Sequence, residues 1–592
     1  MQTIFIDFET YYDKEYSLTK MTTLEYVRHP KFQVLGTAIA IDDGEAYWVD
    51  GDKLPDLDWK NSRVVAHNML FDGLVLTQHY GITVKQWCCT VAMARAMLPI
   101  KPHTLKNVSS KLGLGSKLDG LTVGATESDE KLIEYAIQDV VLCRGIYNKL
   151  IPAFPDDELD IIHLTQKWGI DPILQLDIDR LTLSLISEIN SRATIIEAGG
   201  IDEEILLSNK KFAEYLHKEK IRVPMKPLED GQSWPKPALS KGDPEFHACI
   251  ADNPDYADVF AARLAAKSNI AIKRAQKMID IGKASPDQRM PMPLKYYGAH
   301  TGRWSGADGY NVQNLPRNSE IRKSIIAPDG HVIVVADSSQ IELRVNAWWS
   351  DEFNALHTLS RGGCLYTQAA AFHFNIDEAD VTEAQRQFGK VIILGCGYGM
   401  GAKKFQAFVA TGPLGMDPLV LTEKQARDVI YTYRSTNAKI AKSWRKMDNY
   451  IQQMCFLKPN RKSKCKAITF YRNHLVMPNK MAIWYPELDS TDEGSSWTFG
   501  HLNNKQFIYG ARLQENIVQG LARVIISDQV LNIEKEGIRT VGSTHDEILC
   551  VVPEEQADHA LERMISIMSA SPAWAPELPL GAKGGYAKEY SK

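Results

Sequence analysis

One stretch, His331–Arg344 (HVIVVADSSQIELR), constrains this chain more than any other. It opens on an unbroken apolar run, Val332 to Ala336, dominated by β-branched residues. Such a run fits a strand covered on both faces, so other elements must pack above and below it. The run stops at an acid, Asp337. Two serines follow, either of which can cap a helix, and then IELR sets Glu342 and Arg344 on the next helical turns. A carboxylate at the end of a buried strand is held rigidly at the lip of a crevice, a place suited to a divalent cation. Strand-end Asp is equally a turn former. The stretch alone leaves both readings open.

At 592 residues the chain needs several domains. Apolar content of 44% and charged content of 24% exclude a disordered chain. No run of 18 apolar residues occurs, so no membrane-spanning helix is expected. The start, MQTIFIDFET, lacks the basic and apolar regions of a secretory signal. The nine cysteines are odd in number and form no CxxC or Cys/His zinc pattern, which points to a reducing compartment without disulfides or zinc. The net charge of −5 argues weakly against a nucleic-acid partner, but the local distribution of charge is the better guide.

Residues 1–155 read as an α/β domain, with strands at Thr3–Phe8, Phe32–Ile41 and Val64–Ala66 and helices at Thr90–Leu98 and Glu127–Leu150. Pro152, Pro155 and the acidic run Asp156 to Glu158 mark its end. Residues 156–293 read as mainly helical, for example over Asp177–Ile196 and Ile205–Glu219, with a loop around Pro224–Pro237. A basic helical stretch, Ala261–Lys283, carries Arg263, Lys267, Lys273, Arg274, Lys277 and Lys283. It suits a clamp on a phosphate backbone or a plain solvated face. Residues 294–350 turn Gly-, Asn- and Arg-rich before the central strand, and helices fill 351–447. Over 448–592 come a basic patch at Lys458–Lys466, a strand at Met481–Tyr485, a helix at Ala511–Glu536, and a hairpin with strands Ile538–Val541 and Ile548–Val552.

Two sets of acids carry the chemistry. In IFIDFET, Asp7 and Glu9 project from one face of a strand. Side by side they repel unless a cation lies between them. Asp72 follows in HNMLFD, and Tyr135 and Asp139, four apart in YAIQD, share a helix face. Four acids and a phenol are what a two-metal phosphodiester hydrolase requires, its metals about 4 Å apart. The second set joins Asp337 to Asp546, on a hairpin tip that also carries His545 and Glu547. Between them, Asp380 and Glu383 have capping-box spacing for a helix on which Arg386, Lys390 and Leu394 form one stripe, with Tyr398 a turn beyond. Cations followed by an apolar platform can hold a triphosphate at one end and a base at the other. In HTGRWSGADGYNVQNLPR, Arg303, Gln313 and Asn314 are donors suited to minor-groove acceptors, which all base pairs present alike. Gln514, Asn516, Gln519 and Arg523, in RLQENIVQGLAR, are further candidate duplex contacts.

In this order, DSSQIELR, RQFGKVIILGCGYG and HDE resemble motifs A, B and C of the family-A DNA polymerases, preceded by TGRWSG…NVQNLPR. The N-terminal acids resemble the three motifs of the 3′–5′ proofreading exonucleases. The resemblance spans nearly the whole chain and is strongest to the compact bacteriophage enzymes. It implies an RNase H-like exonuclease (1–155), a thumb and connecting region (156–293), a palm in two parts (294–350 and 448–592) and fingers (351–447). With the exonuclease motifs at the very start, no 5′-nuclease domain is expected. The implied activity is primer-dependent addition of dNTPs on a DNA template with proofreading, for phage genome replication by a monomer in the cytoplasm of an infected bacterium. Primer-template DNA, dNTPs and phage replication proteins are the implied partners. Two Mg²⁺ ions are implied at each site, with Mn²⁺ as a substitute.

The resemblance also implies residue roles. Asp337 and Asp546 hold metal for nucleotide addition, and Asp7, Glu9, Asp72 and Asp139 for hydrolysis, where Tyr135 orients the water. Arg386 and Lys390 bind the triphosphate, Lys390 also serving as general acid. Glu342 gates the sugar, and Gln340, Leu394, Tyr398 and His545 line the nucleotide. Glu547 supports the metal shell. Arg303, Gln313, Asn314, Asn516 and Gln519 touch DNA. Ser338 and Leu394 depart from the family's usual aromatic residues, and Ser338 is the first suspect for an altered purine preference. The main alternative is an exonuclease with a weak or specialised polymerase half, for example one preferring a modified purine dNTP. Asp337, Lys390 and Asp546 argue against a decayed polymerase, Glu342 against an RNA polymerase, and the two acid sets against a non-catalytic DNA-binding protein.

Overall fold

The computed structural model describes residues 1–118, 130–226, 234–458, 461–491, 496–501 and 504–591. The N-terminal unit is built on a five-stranded sheet in the order Tyr47–Asp50, Val34–Ile41, Thr3–Thr10, Arg63–Ala66, Gln86–Cys89. The first two pairings are antiparallel and the last two parallel. Ile4, Phe5, Ile6 and Phe8 are buried in the central strand. The helix Glu130–Leu150 packs across this strand and its neighbour Val34–Ile41. Its expected start at Glu127 lies outside the described residues.

The helix Asp156–Ile170 leads out of this unit, and Trp168 Nε1 donates to Thr540 Oγ1 at 3.0 Å in the second half of the chain. Asp177 caps Ile178–Ala198 by accepting from the Arg180 amide. The expected Ile205–Glu219 helix is two, Glu203–Leu207 and Asn209–Lys218. Ser208 breaks it because its Oγ accepts from the Lys211 amide and starts a new helix. The basic stretch also divides, into Ala257–Lys267 and Ile270–Ala284. Arg263 is not part of a phosphate-facing surface. It is 1% exposed and donates to the Leu206 carbonyl and Asn209 Oδ1, inside a small core with Phe212, Phe246 and Phe260. Lys277 is tied to Glu25 at 2.8 Å.

The second half is organised on an antiparallel four-stranded sheet, in the order Thr540–Thr544, Glu547–Pro553, His331–Ser338, Ala582–Ala587. The apolar run is buried from Val332 to Ala336, as its composition demands. Helix Ala557–Ser569 packs on His331–Ser338, and the long helix Gly510–Lys535 packs along Ile341–Trp349. Neither serine caps that last helix. Ser338 ends the strand, and the chain enters Ile341–Trp349 through Gln340 in the left-handed region, φ 52° and ψ 41°. The hairpin is tighter than expected, with His545 (φ 57°) and Asp546 alone forming its tip.

The helices Leu365–Phe374, Glu383–Cys396, Ala402–Ala410 and Glu423–Thr436 enclose a separate core around Phe388, Phe405 and Tyr433. The capping box of Glu383–Cys396 uses Thr382 and Gln385, not Asp380 and Glu383. A hydroxyl at the cap and an amide three residues on satisfy each other's backbone donors. Gly389 lets the first two helices touch, since a Cβ there would meet the Tyr366 carbonyl at 2.0 Å. The Lys458–Lys466 patch falls partly outside the described residues, and its last member, Lys466, pairs with Asp351 at 2.8 Å. All nine cysteines are unpaired. Among the described residues no helix is long and apolar enough to cross a membrane.

Candidate active sites

The strand pairing of the second half sets two acids side by side. Asp337 lies opposite Glu547, and the Ser338 amide donates to the Asp546 carbonyl at 2.9 Å. Asp337 and Asp546 therefore stand at one end of adjacent strands. Burial, then the charges of Glu547 and Glu342, push the Asp546 carboxyl up to about 6. A cation would relieve that penalty, so the pair fits a metal by its chemistry.

Glu547 is held on every side. Its Oε1 accepts from Arg317 at 2.9 Å, and its Oε2 from Arg322 at 2.8 Å and from the Tyr590 hydroxyl at 2.7 Å. Glu342 pairs with Arg303 at 2.7 Å, yet burial keeps its carboxyl above the usual range. The Tyr398 hydroxyl is buried without a hydrogen-bond partner, as is Oε1 of Gln340. Lys390 is held below the usual lysine range by burial, then by Arg317 and Arg386. Arg386 lies over the Tyr366 ring at 5.7 Å and pairs with Glu383 at 3.2 Å. Leu394 packs against the core of its own helical unit. Gln313, Asn314, Arg317, His545 and Asp546 line one cleft. His545 is held below the ordinary histidine range by burial, then by Arg303.

Four sequence expectations fail here. Ser338 is 1% exposed, alternates in direction with Asp337 along the strand, and has a buried, unpartnered Oγ. It faces the core, not the cleft, and gives no ground for an altered purine preference. Gln514 is fully buried and donates to Asn346 and Ser350. Arg523 is 2% exposed and forms a two-pronged ion pair with Glu158, beneath the rings of Tyr296, Tyr297 and Trp304. Neither residue reaches a duplex. Asn516 is also turned inward, donating to the Tyr485 hydroxyl at 3.0 Å. Gln519 is half-buried, accepting from Thr301 and donating to Glu515.

In the N-terminal unit, Asp72 and Asp139 lie close enough to Asp7 and Glu9 to raise their pKa. Desolvation raises Asp7 most, with Glu9, Asp72 and Asp139 adding to it. Burial and the same neighbours bring Glu9 to about 8, and burial brings Asp72 to about 7 although it accepts from the Phe8 amide at 3.1 Å. The Asp139 Oδ1 is buried without a hydrogen-bond partner. An orphaned carboxylate oxygen beside three strained acids fits a cation site. Among the described residues, no three acidic, His or Cys side chains are gathered as a ready-made metal cage. The counter-charge is Lys117, paired with Asp139 and 4.5 Å from the centre of the Tyr135 ring.

Sequence reasoning missed Lys117, Arg317, Arg322 and Tyr590. Arg317 ends a segment already singled out, but Lys117 and Tyr590 sit in stretches with no spacing signal.

A family model described as DNA polymerase family A matches residues 179–592. A DNA polymerase of Bacillus phage SP02 is 27% identical over the full length of both chains. DNA polymerase I of Aquifex aeolicus is 25% identical over 63% of this chain and 67% of its own. The fold resembles the POL domain of Pol1 from M. smegmatis, solved with a DNA primer-template and dNTP, with a TM-score of 0.68 at 16% identity. That match covers 100% of this chain and 96% of the other.

Proposed function

Given that the chain belongs to DNA polymerase family A, and is thus a DNA-dependent DNA polymerase, we propose that the Asp337/Asp546 pair is its centre of nucleotide addition. The observation that carries this is the Ser338–Asp546 backbone bond, which locks the two acids side by side. In this reading residues 294–350 and 448–592 are the palm, 351–447 the fingers and 156–293 the thumb and connection. Asp337 and Asp546 hold two Mg²⁺ ions, for which Mn²⁺ substitutes. Arg386 and Lys390 take the triphosphate, and Lys390, with its pKa lowered, protonates the leaving pyrophosphate. Glu342 stacks below the sugar and excludes a 2′-hydroxyl. Gln340, Leu394, Tyr398 and His545 line the incoming nucleotide, while Arg303, Gln313, Asn314 and Gln519 meet the primer-template. Glu547 braces the hairpin rather than binding metal, because its oxygens are already taken.

We also propose that the RNase H-like N-terminal unit removes nucleotides from 3′ ends. Asp7, Glu9, Asp72 and Asp139 hold two further Mg²⁺ ions, Tyr135 orients the attacking water, and Lys117 balances the acids between turnovers. At either site the bound ions supply an activated oxygen nucleophile and neutralise the leaving group. The likeness to the SP02 enzyme supports a role in phage genome replication inside the infected host, as a monomer working with phage replication proteins. Extension of a primed template with Mg²⁺ and four dNTPs tests the first assignment. Incorporation is expected, and no extension by folded protein would refute it.

A further inference from the structure

The C-terminal tail reaches the hairpin that carries Asp546. It runs beside residues 325–327, where the Tyr590 amide donates to the Ile325 carbonyl at 2.8 Å and Glu589 bridges to Ile326. This delivers the Tyr590 side chain, itself 0% exposed, beneath the hairpin tip. Its hydroxyl donates to Glu547 Oε2 at 2.7 Å, and its ring lies 3.8 Å from the Arg322 guanidinium. Arg322 donates to the same oxygen at 2.8 Å. A buried carboxylate that accepts from a guanidinium and a phenol, with the two donors stacked on each other, has little freedom to turn. Glu547 follows Asp546 directly and pairs across the ladder with Asp337. Fixing Glu547 therefore fixes the backbone from which both acids project.

We propose that Tyr590 is a positioning residue for nucleotide addition, acting with Arg322 through Glu547 to hold the tip that presents Asp546. The inference rests on the assignment of Asp546 to that reaction. The tail makes no contact with DNA or nucleotide in this role. Its function is to keep the two acids at a fixed separation, and small displacements of reacting groups cost rate steeply.

The test uses the full chain with Tyr590→Phe, which removes only the hydroxyl and keeps the ring under Arg322. Two measurements are made: the single-turnover extension rate with Mg²⁺, and hydrogen exchange of amides 543–548 in metal-free protein. The extension rate should fall about tenfold with primer-template affinity within about twofold, as for a lost positioning contact. Exchange should quicken at the hairpin tip and stay unchanged in the Val332–Ala336 strand. Combining Y590F with Glu547→Gln should cost far less than the product of the two single effects, because both break one linkage. Wild-type rate with unchanged exchange would overturn the proposal, as would exchange that quickens evenly across the sheet, or additive effects. If Y590F is recovered unfolded, Arg322→Lys, which keeps the charge but loses the flat stack, carries the same readouts. Continued extension by Asp546→Ala would instead overturn the site assignment beneath it.

Discussion

The two acid clusters solve the same electrostatic problem differently. In the N-terminal unit, four carboxyls crowd together and, among the described residues, Lys117 lies against Asp139 and the Tyr135 ring. In the second half of the chain, the extra acid Glu547 accepts from Arg317, Arg322 and Tyr590, with Asp546 and Asp337 beside it at the strand ends. The first arrangement keeps its counter-charge on a lysine side chain inside the cluster. The second builds it into the scaffold below the cluster. A site balanced by a lysine within the cluster should depend more on added metal for stability than one whose surplus charge is bonded to groups of the surrounding scaffold.

Outside the carboxyls proposed to hold metal, the largest effect is expected at Glu342, the proposed gate. Glu342→Ala removes both the carboxylate and its 2.7 Å pair with Arg303. Ribonucleotide incorporation relative to dNTP should rise by about a hundredfold, read from competing kcat/KM values. An unchanged ratio would count against the gate.

Next comes the pH response. Glu9 and Asp72 have folded-state pKa values raised from 4.5 to about 8 and from 3.8 to about 7. The folded unit thus holds protons more tightly than the unfolded chain. The contribution of these two carboxyls to its stability is fullest below about pH 4 and is lost as pH rises through 7 to 8. In chelator, the unfolding midpoint of the N-terminal unit should drop across that window, and Mg²⁺ should flatten the drop. Lys117→Met should lower the unfolding free energy in chelator further, by about 1–2 kcal/mol, and be nearly silent with Mg²⁺ bound. A pH-independent midpoint, or equal losses with and without Mg²⁺, would erase the contrast between the clusters.

The smallest effect should be at Ser338. Because its hydroxyl is buried and unpartnered, Ser338→Ala should leave the choice among purine triphosphates unchanged within about twofold. A shift in that choice would return Ser338 to the substrate cleft.

Much of this was legible because strands and acids obey short-range rules. The run Val332 to Ala336 and the alternation of Asp7 and Glu9 placed their side chains correctly from period alone. What failed was the fate of polar residues on helices. Arg523, Gln514 and Arg263 carry the pattern of surface contacts, yet each is buried against a partner remote in sequence. Glu158, 365 positions from Arg523, leaves no trace in the local sequence around it. Burial raises the carboxyl of Glu158, but Arg523, Tyr296 and Asn479 together hold it below its usual range. Caps went astray for a related reason, since Thr382 and Ser208 compete with several nearby polar residues and only the bond formed decides.

We propose that two independent acid sets perform two reactions. This division is tested most directly by assaying Asp337→Ala and the double variant Asp7→Ala/Glu9→Ala side by side, each for primer extension and for digestion of a labelled single strand. D337A should lose extension by more than about a thousandfold and keep digestion, while the double variant does the reverse. Loss of both activities in either folded protein would contradict the division.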